Sequence, residues 1–483
     1  MYLGLDLGTS GIKALLVKEN NAIIGSIEIR FKVSHPQKGW SEQNPQDWEF
    51  ALKKAVKILK SKYSFEFSLL RGIGISGQMH GATLLDHKGK ILHPCILWND
   101  TRAHLEAKQL DTITKVRKIS GNIVFPGFTA PKLIWLANNE PEIFSKIAKV
   151  LLPKDYLNFW LTGEYTSDMS DGSGTSWLDT HKRVWSSDLL NCSGMRLNQM
   201  PKLFESSEPI GNLRDSLAEE WGLSKNVIVV SGAGDNAAAA CGIGVINEGD
   251  AFISLGTSGV ILAAKENFAP KANHALHTFC HAIHNRWYQM GVILSATDCL
   301  NWLANILEKK VEDLTNSLGK RIKKPNSTHF LPYLSGERTP HNDSEIRASF
   351  VNLDVSSNQN DLIQSVLEGV SFALRDNLEA LKIAGTNISS AKAIGGGSNS
   401  SYWLELIATV LKIDLDIPEK SDFGAAFGAA RLAIIGVTGA KPEEIIKNPR
   451  ISKKISPKKE LIKLYDEAYY KYQSIYPALC LIK

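Results

Sequence analysis

Asp235 stands in Ser231–Gly242 (SGAGDNAAAACG), a run of small residues broken by one acid and one amide. Small neighbours leave room for a ligand beside the carboxylate. The Ala run that follows can start a helix whose dipole favours the ionised form. A carboxylate so placed could take a proton from a substrate hydroxyl; the plainer alternative is an acid that caps a helix. Asp6 is the second candidate. It precedes Gly8-Thr9-Ser10-Gly11, where flanking glycines permit close approach of a ligand to the backbone and two hydroxyls stand beside exposed N–H groups. Such a turn can cradle phosphate oxygens, and a carboxylate beside it could hold Mg2+, directly or through water. Equally, a strand-end Asp can simply fix its turn. Phosphoryl transfer to a hydroxyl needs little more than phosphate clamps, a divalent metal and a proton-accepting carboxylate.

The phosphate reading gains force because the phrase recurs. Leu5–Gly11 reads LDLGTSG and Ile253–Gly259 reads ISLGTSG, with five of seven positions identical and apolar, strand-like sequence after each. A recurrence half a chain apart predicts two related domains, each opening with a β-hairpin. Facing each other across a cleft, Thr9 and Ser10 on one side and Gly256 and Thr257 on the other could hold a triphosphate. Only the first copy has an acid before its turn; Ser254 stands where Asp6 does. A third glycine cluster, Ala393–Ser400 (AIGGGSNS), runs into the helical pattern Tyr402–Ile413 and is either a nucleotide site or a tight strand-to-helix turn. In SGQMHG, at the end of a predicted strand, Gln78 and His80 could hydrogen-bond substrate hydroxyls and Met79 could pack on an apolar edge, unless the histidine is purely structural. Glu337 and Arg338 of SGERTPH read as an ion pair shaping a cleft, or as a plain surface turn.

The elements that must position these residues form an α/β pattern. Ile73–Ser76, Ala82–Leu85 and Val227–Val230 read as strands; Trp48–Leu59 and Asp361–Ile383 carry helical periodicity. The polar turn Asn247–Asp250 precedes the second repeat, which places the expected boundary near 246, with domains 1–245 and 246–483. The bulk numbers suit a globular chain of two large domains: 483 residues, 43% hydrophobic, 22% charged, net charge +5. The densest basic cluster, Ile451–Glu460, reads as a solvated loop and helix start rather than a contact for an anionic partner, and no nucleic-acid partner is expected. Six scattered cysteines without metal spacing read as reduced thiols of a cytoplasmic protein. No apolar run reaches a membrane span.

Together LDLGTSGIK, GQMHGATLLD, ILWNDTRA, FPGFTAPKL, LLPKDYL, TGEYTSDMSD, GAGDNAAAACGIG, SLGTSGV, FLPYLSGERTPH, VLEGV and IGGGSNS resemble, in order and over most of the chain, the FGGY family of carbohydrate kinases. The resemblance implies two ribonuclease-H-like domains of the actin/sugar-kinase type with an ATP cleft between them. It implies ATP and Mg2+ as cofactors and a small sugar as partner. The runs Gly77–Asp86 and Ile96–Arg102 are most similar to members that convert D-xylulose to its 5-phosphate in xylose catabolism. On this basis Asp235 is the expected general base and Asn236, Met79 and His80 sugar contacts. Asp6 is the Mg2+-organising acid; Thr9, Ser10, Gly256 and Thr257 form the phosphate loops, and Gly396, Gly397 and Asn399 the adenosine side. A homodimer is common among such enzymes, though nothing in the sequence marks an interface. Phe423 and Ala425 depart from the tyrosine and proline the family pattern suggests, and no family phrase follows about residue 440. Other readings remain: a kinase for ribulose, gluconate or glycerol, an actin-like ATPase switch, or an inactive sugar sensor. SGQMHG and GAGDN favour a small polar pocket over a switch, and the presence of both Asp6 and Asp235 disfavours the sensor.

Overall fold

The computed structural model describes residues 1–419 and 424–482; the departure at Phe423 lies outside them. Two sheets organise the chain. The first is built from β1 (Tyr2–Leu7), β2 (Gly11–Val17), β3 (Ile23–Arg30), β4 (Gly72–Gly77), β5 (Pro209–Asn212) and β6 (Ile228–Val230), in the order β5-β6-β4-β1-β2-β3. The second comprises β7 (Ala251–Leu255), β8 (Gly259–Lys265), β9 (His277–Cys280), β10 (Trp287–Ile293), β11 (Ser390–Ile394), β12 (Asp414–Pro418) and β13 (Ile451–Ile455), in the order β9-β10-β8-β7-β11-β12-β13.

The two sheets repeat one plan. β1 lies between antiparallel β2 and parallel β4, and β7 lies between antiparallel β8 and parallel β11. Each repeated GTS turn joins the first two strands of its sheet. The α/β class and the duplicated ribonuclease-H-like architecture expected from the sequence are therefore present. β1 and β4 are almost wholly buried, as strands covered on both faces must be.

The main helices are α1 (Pro45–Lys62), α2 (Thr129–Asn139), α3 (Pro153–Thr162), α4 (Asp235–Gly242), α5 (Thr297–Ile306), α6 (Gln359–Ile383), α7 (Ser401–Leu411), α8 (Ala425–Thr438) and α9 (Lys459–Cys480). α1 shows why the sequence commits to a helix here. The Asn44 side chain accepts from Gln46 N, Pro45 fills the first turn, and Trp48, Leu52, Val56 and Leu59 form one buried stripe. α7 ends at Leu411, short of the expected Ile413, because Lys412 turns left-handed at φ 60°.

α8 crosses from the second stretch of sequence to the first sheet. Gly4 and Gly74 make this possible: a Cβ at Gly4 would lie 2.0 Å from Ala426 O, and one at Gly74 2.1 Å from Ala429 O. On its other side α8 packs on α4, with Gly428 pressed to the Ala238 carbonyl. Arg431 of α8 donates to the carbonyls of Cys241 and Gly242, satisfying the open C-terminal end of α4. A single apolar cluster, including Met79, Phe125, Ala237, Phe252 and Phe279, joins both halves.

One expectation is corrected. Ile451–Ile455 is an edge strand, not a loop: it pairs antiparallel with β12, buries Ile455, and sets Lys454 Nζ 2.9 Å from Asp414. Lysines on an exposed edge discourage further strand pairing, and so look from sequence like a charged loop. α9 does begin just after it, at Lys459.

Candidate functional site

Asp6 sits near the end of β1, opposite Lys13 on β2 and beside Ser76 on β4. Ser76 Oγ donates to Asp6 Oδ1 at 2.7 Å. Burial raises the Asp6 pKa, against the opposing pull of Ser76 and Lys13. The turn that follows is braced from the side. Thr9 Oγ1 donates to Gln78 Oε1 (3.2 Å) and accepts from Trp98 Nε1 (2.9 Å), and Thr9 O accepts from Gln43 Nε2 (2.6 Å). Gln78 also donates to Gln43 Oε1 at 2.9 Å, so both ends of its buried amide are spent on holding the turn. Gln43 and Trp98 brace this turn but were not singled out as residues from the sequence, although Trp98 lies in the Ile96–Arg102 run. The N–H groups of Thr9 and Ser10 donate to no other group among the described residues.

Asp235 is the first residue of α4; Gly234, not Asp235, occupies the cap position. Its Oδ1 accepts from Asn236 N (2.6 Å) and Asn236 Nδ2 (2.9 Å). The carboxyl is half-buried, and its pKa is raised to about 7, first by burial and then by the charge of Asp6. The two acids singled out from sequence are thus electrostatic neighbours, one before the first turn and one opening α4. A carboxylate tuned to neutral pH suits proton acceptance.

Met79 and His80 line the same region. A Cβ at Gly234 would lie 3.0 Å from Met79 Cγ, so the Met79 side chain rests on the turn that leads into Asp235. His80 takes a left-handed φ of 70°. Its Nδ1 donates to the Gly174 carbonyl at 2.7 Å, and its ring stacks on Phe128 at 4.6 Å. Gly174 must lack a side chain, because a Cβ there would fall 2.3 Å from His80 Cε1. Burial lowers the His80 pKa to about 3. The ring is therefore neutral, with Nδ1 protonated and Nε2 left as an acceptor for a hydroxyl. Phe279 of β9 reaches the same ring, so the second half of the chain packs against this histidine.

The second turn is held differently. Its carbonyls are tied to the start of α5: Gly256 O accepts from Thr297 N (3.0 Å) and Oγ1 (2.7 Å), and Thr257 O from Ala296 N (2.7 Å). The N–H groups of Gly256 and Thr257 donate to nothing among the described residues, and Thr257 is exposed. The glycine cluster lies directly against this turn. A Cβ at Gly397 would stand 2.8 Å from Leu255 Cβ and 3.2 Å from Thr297 Cγ2, whereas one at Gly396 would meet open space. Asn399 is exposed beside them. Gly256 and Thr257 thus present free N–H groups next to the open backbone at Gly396, a chemistry that could receive polyphosphate and a nucleoside.

The expected Glu337–Arg338 ion pair is absent among the described residues. Glu337 is buried and accepts from Leu294 N (3.0 Å) and Arg338 N (2.7 Å). The Arg338 guanidinium turns instead to the Phe125 ring at 4.6 Å and to His277 Nε2 at 3.5 Å. Burial outweighs those two N–H groups and lifts the Glu337 pKa to about 8. The two charges make no direct contact pair, although each still feels the other's field.

Residues 1–242 match the N-terminal domain of the FGGY family of carbohydrate kinases, and residues 251–437 its C-terminal domain. The chain is 45% identical over 446 residues to xylulose kinase of Escherichia coli K12, covering 92% of this chain and 91% of the relative. The crystal structure of a xyloylose kinase from Brucella ovis superposes with a TM-score of 0.98 at 55% identity over the whole of both chains. That of xylulose kinase from Rhodospirillum rubrum gives 0.91 at 26% identity over 99% of each.

Proposed function

The chain belongs to the FGGY family of carbohydrate kinases, and from that premise we propose that it transfers the γ-phosphate of ATP to D-xylulose, giving D-xylulose 5-phosphate. The observation that carries the reading is that Met79 lies against Gly234, next to Asp235, and also against Gly174, whose carbonyl holds His80, in a chain 45% identical to a xylulose kinase. Asp235 is the general base. It accepts the proton of the terminal hydroxyl as that oxygen attacks the γ-phosphate. Asn236 holds the carboxylate by two hydrogen bonds and presents its own amide to the sugar. His80 Nε2 accepts a sugar hydroxyl, and Met79 packs on the carbon edge.

The fit to a nucleotide rests on the unused N–H groups of the two turns and on the open space beside Gly396. Thr9 and Ser10 face the phosphates from one side, Gly256 and Thr257 from the other, and Gly396, Gly397 and Asn399 receive the adenosine. Gln78 braces Thr9. Asp6 would hold Mg2+, through water, which when bound supplies charge neutralisation at the phosphates. The partition 1–245 for the sugar side and 246–483 for the nucleotide side follows from these roles, with α8 and β9 crossing it. The role belongs to xylose catabolism in the cytoplasm, consistent with six free thiols.

The test is sugar-dependent ADP release with MgATP across D-xylulose, D-ribulose, L-ribulose, gluconate and glycerol, with Asp235→Ala alongside. D-xylulose should give the highest kcat/KM, and the variant should lose roughly 10²–10⁴-fold. A better rival sugar would overturn the substrate; an active variant would overturn the base.

A further inference from the structure

The segment Ser231–Gly234 that leads into Asp235 is held from behind by a wholly buried charged group. Lys154 of α3 has its Nζ 2.5 Å from Asp155 Oδ1, 2.8 Å from Asp168 Oδ1 and 3.7 Å from Asp171 Oδ2. None of these four side chains has exposed surface. Burial works against the Lys154 charge, but the three carboxylates outweigh it and raise its pKa. Asp168 Oδ2 accepts from Ser170 N (2.8 Å), Ser170 Oγ (2.5 Å) and Ser206 Oγ (2.8 Å). Ser170 Oγ in turn accepts from the Gly234 N–H at 3.1 Å. Further along α3, Asn158 Nδ2 donates to Ser231 O at 2.8 Å.

A buried ion cluster is a poor device for stability alone, because well-packed apolar side chains of the same volume often serve as well or better. Its place in the fold suggests another use. The chain of bonds ends on the backbone immediately before Asp235. The same Gly234 also lies against Met79, where a Cβ would stand 3.0 Å from Met79 Cγ, a tight contact. Gly234 is thus held by the Ser170 hydroxyl and contacted by Met79, and a shift of it moves the adjoining Asp235 carboxyl.

We propose that Ser170, locked by Asp168 and Lys154, is a positioning residue for Asp235: it fixes the Gly234 N–H and so aims the base at the sugar hydroxyl. This rests on the reading of Asp235 as the base. It does not extend to proton transfer by the cluster itself.

Steady-state kinetics with MgATP and D-xylulose, beside thermal unfolding, separate positioning from support of the fold. Ser170→Ala should lower kcat roughly ten- to a hundredfold, as small misplacements of a reacting group do. KM for the sugar should change less than about threefold, since the loss falls on the transition state. Ser170→Thr, which keeps a hydroxyl, should recover most of the rate. Ser206→Ala removes a different donor from the same carboxylate without touching Gly234, and should cost less kcat than Ser170→Ala at a similar Tm. Equal kcat losses in the two alanine variants, or a loss that only tracks the folded fraction, would overturn the positioning role. Asp235→Asn tells the two readings apart. If it is dead while Ser170→Ala keeps full kcat, only the positioning role fails; if it is active, the base assignment itself fails.

Discussion

The two GTS turns share five of seven residues yet are held in opposite ways. The first is gripped through side chains: Gln78, Gln43 and Trp98 converge on Thr9, and Asp6 stands between Lys13 and Ser76. The second is gripped through its carbonyls by the start of α5, and Ser254 stands between Val260 and Ile394. A duplicated loop has kept its backbone task, presenting N–H groups, while its surroundings have diverged. One turn follows an acid, Asp6, held by Ser76 and electrostatically coupled to Asp235. The other remains a cradle of bare backbone. If the comparison is sound, exchanging Asp6 and Ser254 should have very unequal effects.

Asp6→Ser makes the first turn like the second and should show the largest effect. Loss of the acid removes the group that would organise Mg2+ at the phosphates. We expect kcat to fall roughly 10²–10³-fold, the scale seen when one electrostatic stabiliser is deleted, with Tm little changed because Ser76 and Lys13 remain. Retention of wild-type kcat would mean that the asymmetry between the turns has no catalytic meaning.

The pH profile sharpens the same contrast. As the proposed base, Asp235 must act as a carboxylate, and its pKa is raised to about 7 by burial and by Asp6. kcat/KM for D-xylulose should therefore rise about tenfold per pH unit below ~7 and flatten above it. Removing the Asp6 charge should stabilise ionised Asp235 and move that limb to lower pH. Ser254→Asp should leave it in place. A wild-type limb near the ordinary Asp value of about 3.9 would show that neither burial nor Asp6 governs the base.

Much of this site was legible in sequence because its parts are local. The repeated phrase predicted two hairpins, and the small residues around Asp235 predicted an acid opening a helix. What stayed hidden was long-range. Gln43 and Trp98 reach Thr9 across 34 and 89 residues, and no periodicity announces such contacts. Gly4 and Gly74 read as ordinary strand glycines; their purpose appears only when α8 is seen to cross onto the first sheet. The edge strand at 451–455 was mistaken for a loop because the lysines that protect an edge also make it look solvated.

Ser254→Asp should have the smallest effect, and it tests the comparison most directly. The new acid would sit beside apolar Val260 and Ile394 rather than beside a lysine and a serine, so nothing there would orient it toward a metal. Its main consequence would be repulsion of the nucleotide phosphates. At a solvent-facing site this is worth about 1 kcal/mol, or roughly a fivefold rise in KM for ATP. KM for the sugar and the acid limb should not move, because Asp235 neighbours the first turn. The decisive form is the double exchange, Asp6→Ser with Ser254→Asp, assayed beside each single variant. A double variant as impaired as Asp6→Ser alone would locate the organising function in the surroundings of the first turn. Recovery of kcat toward wild type would show instead that either hairpin can carry the acid.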